Sequence, residues 1–199
     1  MFSSLRCDRY NVRAMRIFGV LMLLLLSLAA CNPDKNRRVD SEKSKFTTSD
    51  ASELFFKNVR QIYYDKTDLP DAKLDMYRLG DRSEAEDYPV LNLVIVINWR
   101  YDEAYLLTEP NTFLKNMDTL RIDWQDTVNH QQGAYTFIPT GNKEAHFRFA
   151  SQLYRGIQDG RQLFVTTNDQ DSVPFLNKYD DREVFRKTMF DYYRLVDLL

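Results

Sequence analysis

The side chains that carry most enzyme chemistry are few and far apart in this sequence. Two histidines occur. His130 lies in a polar stretch with nothing nearby to orient it as a base. His146 stands near the start of a helical pattern, with no second histidine or cysteine at metal-ligand spacing. Neither a zinc site nor a histidine base is expected. Beyond position 48 the serines are Ser49, Ser52, Ser83, Ser151 and Ser172, and none sits in a G-x-S-x-G elbow or an S-x-x-K pair that would activate its hydroxyl. With only 6 glycines and no G-x-G-x-x-G or Walker pattern, no phosphate cradle is present and no cofactor is expected. Glu103, Glu109, Asp123 and Asp126 would serve glycoside hydrolysis only if two of them met across a cleft, and solvated faces and turns explain them more simply. Asn168, Asp169, Gln170 and Asp171 offer close-set oxygens but lack the glycine and distant glutamate of a calcium loop, so they read as a turn.

Aromatic rings are the remaining resource, as flat surfaces for a glycan or a protein partner. Tyr63, Tyr64, Tyr88, Trp99, Tyr101, Tyr105, Trp124, Tyr135, Tyr154, Tyr192 and Tyr193 are candidates. Trp99 and Trp124 keep step with the apolar set of their strands and are expected in the core. Tyr63 and Tyr64, adjacent on a strand, would point to opposite faces and leave one ring outside.

The elements that must hold these residues follow from periodicity. Asp50 with Glu53 matches a capping box, and Leu54, Phe55, Val59 and Ile62 recur at helical spacing, so a helix with that stripe inward opens the domain. Where that helix ends is open, since Arg60 to Tyr64 could equally be a strand, with Leu74 to Leu79 as a second strand beyond an Asp-Leu-Pro-Asp turn, and residues 81–87 read as a charged loop. Val90 to Tyr101 alternates throughout and should be a long central strand, with Ala104–Thr108, Leu120–Trp124 and Tyr135–Ile138 following it. Ala145, Phe149, Ala150, Leu153, Tyr154 and Ile157 form one stripe of a helix from Asn142 to Asp159, stopped by Gly160. Leu163 to Thr167 returns as a strand. Asp180 and Glu183 then open a last helix whose Phe185, Met189, Tyr192, Val196 and Leu199 make a seam. The order predicts an α+β domain over 49–199: a largely antiparallel sheet of about five to seven strands, carrying an N-terminal, a mid-chain and a C-terminal helix.

The one cysteine with a definite chemistry lies upstream. Ile17 to Leu28 is apolar except for Gly19 and Ser27, is preceded by Arg13 and Arg16, and runs into Ala29, Ala30 and Cys31. This is a secretory leader in layout, and it falls short of the roughly 20 residues that span a bilayer as a helix. Leu28-Ala29-Ala30-Cys31 resembles the lipobox of bacterial lipoproteins. That resemblance covers residues 1–31 only, and it implies a lipid-modified Cys31 and cleavage before it. Met15 offers a second start with a shorter leader. Residues 31–48 are polar and mixed in charge, so they read as a flexible tether with a reach of roughly 20–25 Å.

Without residues 1–30 the chain carries 23 basic and 28 acidic side chains, a net charge of −5. A mildly acidic domain is a poor ligand for nucleic acid. Cys7 leaves with the leader, so no disulfide is available and packing alone must stabilise the domain. The expectation is an envelope lipoprotein bound to the membrane through lipid on Cys31, with no catalytic residues, acting by binding or assembly. A glycan-binding module is the second possibility and a hydrolase with an acidic pair the third. Asn32 stands where enteric lipoproteins retained at the inner membrane carry aspartate, and Pro33 to Arg38 is net basic. By that resemblance the domain sits at the outer membrane, facing the periplasm.

Overall fold

From Leu91 to Asn98, Leu91, Leu93, Ile95 and Ile97 face one side of the strand, while Asn92, Val94, Val96 and Asn98 face the other. Both sets are largely buried, which marks a central strand. The computed structural model describes residues 39–40, 43–167 and 171–199. In it this strand, β3, is flanked by β2 (Leu74–Leu79) and β4 (Glu103–Pro110), with β1 (Tyr64–Leu69) outside β2. All neighbours are antiparallel, in the register Tyr77↔Ile95↔Leu106 across the inner face. Three helical pieces cover that face. They are α1 (Asp50–Phe55, continued by a π turn at Phe56–Arg60 and a 3-10 turn at Gln61–Tyr63), α2 (Lys143–Gln158) and α3 (Tyr179–Leu195).

The second sheet is also antiparallel, in the order β6-β5-β7-β8, from β5 (Leu120–Asp126), β6 (Gln131–Phe137), β7 (Gln162–Thr166) and β8 (Ser172–Phe175). Its inner residues Leu120, Ile122, Phe137, Leu163, Val165 and Phe175 join one core with the first sheet's inner face and the buried faces of α2 and α3. The mixed α+β class is therefore observed, but one sheet of five to seven strands is replaced by two sheets of four. The cause is at the edge of β4. Ala104 N–H donates to Phe46 C=O at 2.7 Å, Thr47 bridges Glu103, and Thr108 N–H donates to Nδ1 of His146 at 3.1 Å. With that edge taken, β5 does not extend the ladder from β4 and lies in the second sheet.

Other differences are local. The expected tether over 31–48 ends earlier, because Val39 and Phe46 pack on the core and Tyr192 donates its hydroxyl to Lys45 C=O at 2.8 Å. The cap of α1 is Ser49 with Ser52, not Asp50 with Glu53, and Glu53 instead accepts from Thr48 Oγ1 at 2.7 Å. Residue Lys178 caps α3 without a side-chain bond, so the Asp180–Glu183 box does not form. Of the two readings of Arg60 to Tyr64, the helical one holds as far as Tyr63, and a strand begins at Tyr64. The helix from Asn142 is as expected: Asn142 Oδ1 accepts from Ala145 N–H at 3.0 Å, and Gly160 takes a left-handed φ of 71° after its end. The leader, Cys31 and Asn168–Gln170 lie outside the described residues. Among the described residues no helix is long and apolar enough to cross a membrane.

Candidate functional site

The residues that would do hydrolytic chemistry are kept apart. Glu103 and Glu109 stand at opposite ends of β4, about 20 Å apart at strand rise. Glu103 pairs with Lys143 at 2.8 Å, whereas Glu109 binds Arg78 through both oxygens across the outer face of β3. Asp123 and Asp126 lie in the other sheet. Burial works against the charge of Asp123, but hydrogen bonds from Thr166 and Arg121 outweigh it and lower its pKa. Asp126 receives the amides of Val128 and Asn129 in the β5–β6 turn, where Asn129 holds its carboxyl below the usual range. Each of the four is engaged by its own partners, and no two of them share one.

The histidines are structural. His130 occupies the left-handed position of that same turn, φ 54° and exposed. His146 is buried; burial lowers its pKa and keeps the ring neutral, consistent with Nδ1 accepting from Thr108 N–H. It bolts α2 to β4. The serines serve likewise: Ser52 Oγ donates to Leu195 C=O at 2.6 Å, Ser151 accepts from Tyr193 Oη at 2.9 Å, and Ser83 meets Tyr88 Oη at 3.0 Å. Among the described residues no group of three histidine, cysteine, aspartate or glutamate side chains is placed to hold a metal.

The surface that departs most from expectation is α1 and its continuation. Leu54 is 61% exposed, Val59 45% and Ile62 74%, and the Tyr63 ring is also outside. Of the stripe expected to enter the core, Leu54, Val59 and Ile62 face solvent, and Phe55 is half-buried under the Arg194 guanidinium. The opposite face goes in, because Ser52 hooks to the end of α3 and Phe56 finds the rings of Tyr64 and Tyr77, at 5.5 and 5.1 Å. The π turn then adds a residue to the winding, which carries Arg60 to Asp191 on α3.

Asp191 is only 3% exposed and is fully engaged. Arg60 Nε donates to Oδ1 at 2.8 Å, Nη2 donates to Oδ2 at 2.9 Å, and Tyr64 Oη donates to Oδ2 at 2.7 Å. Burial disfavours the Arg60 charge, yet the bonds and charge of Asp191 outweigh it and raise its pKa. The Tyr64 phenol is pushed well up, by burial first and then by the same carboxylate. This ion pair fixes the helical turns that present Val59, Ile62 and Tyr63 outward. Nothing in local sequence joins Arg60 to Asp191, 131 positions away.

A second exposed group lies at the tips of two neighbouring hairpins, side by side because Leu74 pairs with Asn98. Trp99 is 46% exposed, not in the core as expected, because β3 ends at Asn98 and the alternation stops there. Lys73 Nζ sits 4.8 Å from the Trp99 ring centre, and Arg100 sits 5.4 Å from that of the exposed Tyr101. Trp124 is half-buried against the core as expected, between the Arg161 guanidinium at 4.0 Å and the stacked ring of Tyr135.

No protein-family model, curated protein or solved structure matches the chain.

Proposed function

We propose that this chain is a cell-envelope lipoprotein, held to a membrane by lipid on Cys31, whose domain binds a partner protein and catalyses no reaction. The observation that carries the binding role is the outward stripe of Leu54, Val59, Ile62 and Tyr63, held in place by the Arg60–Asp191 pair. A helix that keeps its apolar side chains away from its own core has them available for another surface. Its rim carries both signs, Asp50 and Glu53 beside Lys57, which fits a protein interface better than the all-basic rim that anionic lipid favours.

Val39 is eight positions after Cys31, so even a fully extended link spans only about 28 Å. A lipidated domain therefore works close to the bilayer; Asn32 supports the outer membrane, and the net-basic stretch from Pro33 to Arg38 supports its periplasmic side. Fatty-acid labelling that disappears in Cys31→Ala, together with release of a folded domain into the soluble fraction, tests the anchor. An unlabelled wild type refutes it. A photo-crosslinker at position 62 should give one discrete adduct in cells. Leu54→Asp with Val59→Asp should abolish that adduct without lowering the melting temperature. Persistence of the adduct refutes the stripe as an interface.

The exposed Trp99 and Tyr101 favour a second reading, a glycan-binding module. Tryptophan fluorescence that shifts on addition of peptidoglycan fragments, and does not shift in Trp99→Ala, would select it over the first.

A further inference from the structure

A guanidinium drawn partly out of water is costly unless a negative group faces it. In this domain Arg60, Arg78, Arg161 and Arg186 each meet a carboxylate, those of Asp191, Glu109, Asp159 and Glu183. Arg182, in the first turn of α3, is half-buried and meets none among the described residues. Asp180 and Asp181 precede it by two positions and one, so they lie on other faces of the helix. Burial lowers the Arg182 pKa and no carboxylate offsets it, whereas for Arg60, Arg78 and Arg186 the carboxylate outweighs burial.

Two backbone carbonyls hold this side chain. Its Nε donates to Leu176 C=O, and its Nη2 donates to Arg161 C=O at 3.2 Å. Leu176 keeps a left-handed φ of 48° with its side chain buried in the core, so the turn that presents its carbonyl is pinned. Of the five guanidinium N–H groups, the two on Nη1 and one on Nη2 remain free of the described residues. Arg182 lines an open pocket of about 510 Å³, within the range of small-ligand sites, and is the only charged side chain at its wall. Phe164 and Pro174 supply the apolar wall, and the exposed amides of Gln162 and Asn177 supply the polar rim. Leu163 also borders the pocket, but its side chain belongs to the core and is not available. Phe164 is different. It is half-buried on the outer side of β7, opposite Asp123 and Pro174 in the ladder, outside the core cluster and outside any ring pair among the described residues.

We infer that this pocket binds a carboxylate carried on an apolar group, with the carboxylate on Arg182 and the apolar part against Phe164 and Pro174. One guanidinium with free N–H groups suits a planar monoanion. A phosphate monoester, nearly doubly charged at neutral pH, calls for more positive charge than this wall offers. A staple role between Leu176 and Arg161 accounts for two of the Arg182 N–H groups, and for neither the missing counter-charge nor the uncommitted ring of Phe164. The carboxylate belongs either to a free acid or to the last residue of a peptide, whose preceding peptide group the amides of Gln162 and Asn177 would bond. This site is separate from the α1 stripe and does not depend on lipid at Cys31.

The test titrates the full chain in nonionic detergent and follows its amide resonances by NMR. At millimolar concentration 3-phenylpropionate should shift Gln162, Phe164 and Asn177 saturably. Its neutral amide should bind about tenfold more weakly or worse, because a charged hydrogen bond becomes an uncharged one. Arg182→Gln should remove binding. That change also cuts the bonds to Leu176 and Arg161, so Gln162→Glu is the companion variant. It leaves Arg182 in place, sets a like charge at the rim, and should weaken 3-phenylpropionate several-fold with the melting temperature unchanged. Tighter binding of N-acetylphenylalanine than of 3-phenylpropionate identifies a peptide terminus, and equal or weaker binding identifies a free acid. No saturable shift, equal binding of the acid and its amide, or Gln162→Glu without effect overturns the proposal. Tighter binding of 2-phenylethylphosphonate than of the acid overturns it too, in favour of a phosphate site.

Discussion

Replacing Asp191 by alanine should loosen the segment that displays the α1 stripe before it unfolds the domain. The carboxylate accepts two bonds from Arg60 and one from Tyr64, and its side chain is 2% exposed. Stranding one member of a buried ion pair costs about 3–5 kcal/mol, and an enclosed hydroxyl that loses its acceptor adds to that. Arg60 is a quarter exposed and regains water when abandoned, so the low end, about 3 kcal/mol, applies. For a domain of this size that corresponds to a fall in Tm of roughly 6–12 °C. Calorimetry measures this directly, and urea unfolding gives the free energy. Hydrogen exchange should speed up over 56–63 well before the sheets open. Combining Asp191→Leu with Arg60→Met removes both charges and should recover at least half of the loss, because most of the cost is an unpaired charge and not missing packing. An alanine variant melting within 2 °C of wild type, where about 6 °C or more is expected, would refute this account of the pair.

Gly133→Ala should cost about 1–3 kcal/mol by overpacking, since the new Cβ would lie 2.7 Å from Trp124 Cζ2, and the indole emission should shift as the ring moves. Ending the chain after Thr188 removes Met189, Tyr192 and Val196, all fully enclosed, each worth about 2–5 kcal/mol. Their sum reaches the whole stability of a typical domain, so circular dichroism should show no cooperative melting. The buried phenol of Tyr77 is pushed up to about 12, mainly by burial and then by Asp75, and Tyr64 is raised as well. Above pH 10 the unfolded chain gives up these protons while the folded chain keeps them. Stability, intact below about pH 10, should therefore fall as the pH rises toward 12, which melting curves at stepped pH will show. Phenols that all titrate near 10 with no loss of stability would contradict it.

Much of the fold was legible because its signals are local. The alternation of β3, the stripe of α2 with Asn142 and Gly160 at its ends, and the seam of α3 from Phe185 to Tyr192 all came from residue spacing that tertiary contacts left intact, although Val196 and Leu199 fall past the helix end at Leu195. Trp99 failed because alternation says nothing about where a strand stops. The α1 stripe failed for a different reason: helical spacing identifies an apolar face but not which surface it meets, and the π turn shifts the phase beyond Phe56. The division into two sheets depends on residues 46–48 occupying an edge some 57 positions away, at Ala104, and edge pairing between distant polar segments leaves no periodic mark. The candidate surfaces were hidden for the same reason, being defined by what packs elsewhere.

The docked stretch before α1 has a mechanical consequence. Any pull that arrives through the N-terminal segment first loads the packing of Val39 on the core and then three bonds: Ala104 N–H to Phe46 C=O, Thr48 N–H to Asp102 C=O, and Tyr192 Oη to Lys45 C=O. Directed along the strand axis, tension is shared by all three and they must rupture together. Directed across it, they unzip one after another at lower force. Because forced opening is governed by a rate and not by equilibrium stability, this clamp and not the hydrophobic core would set how long the domain survives under load.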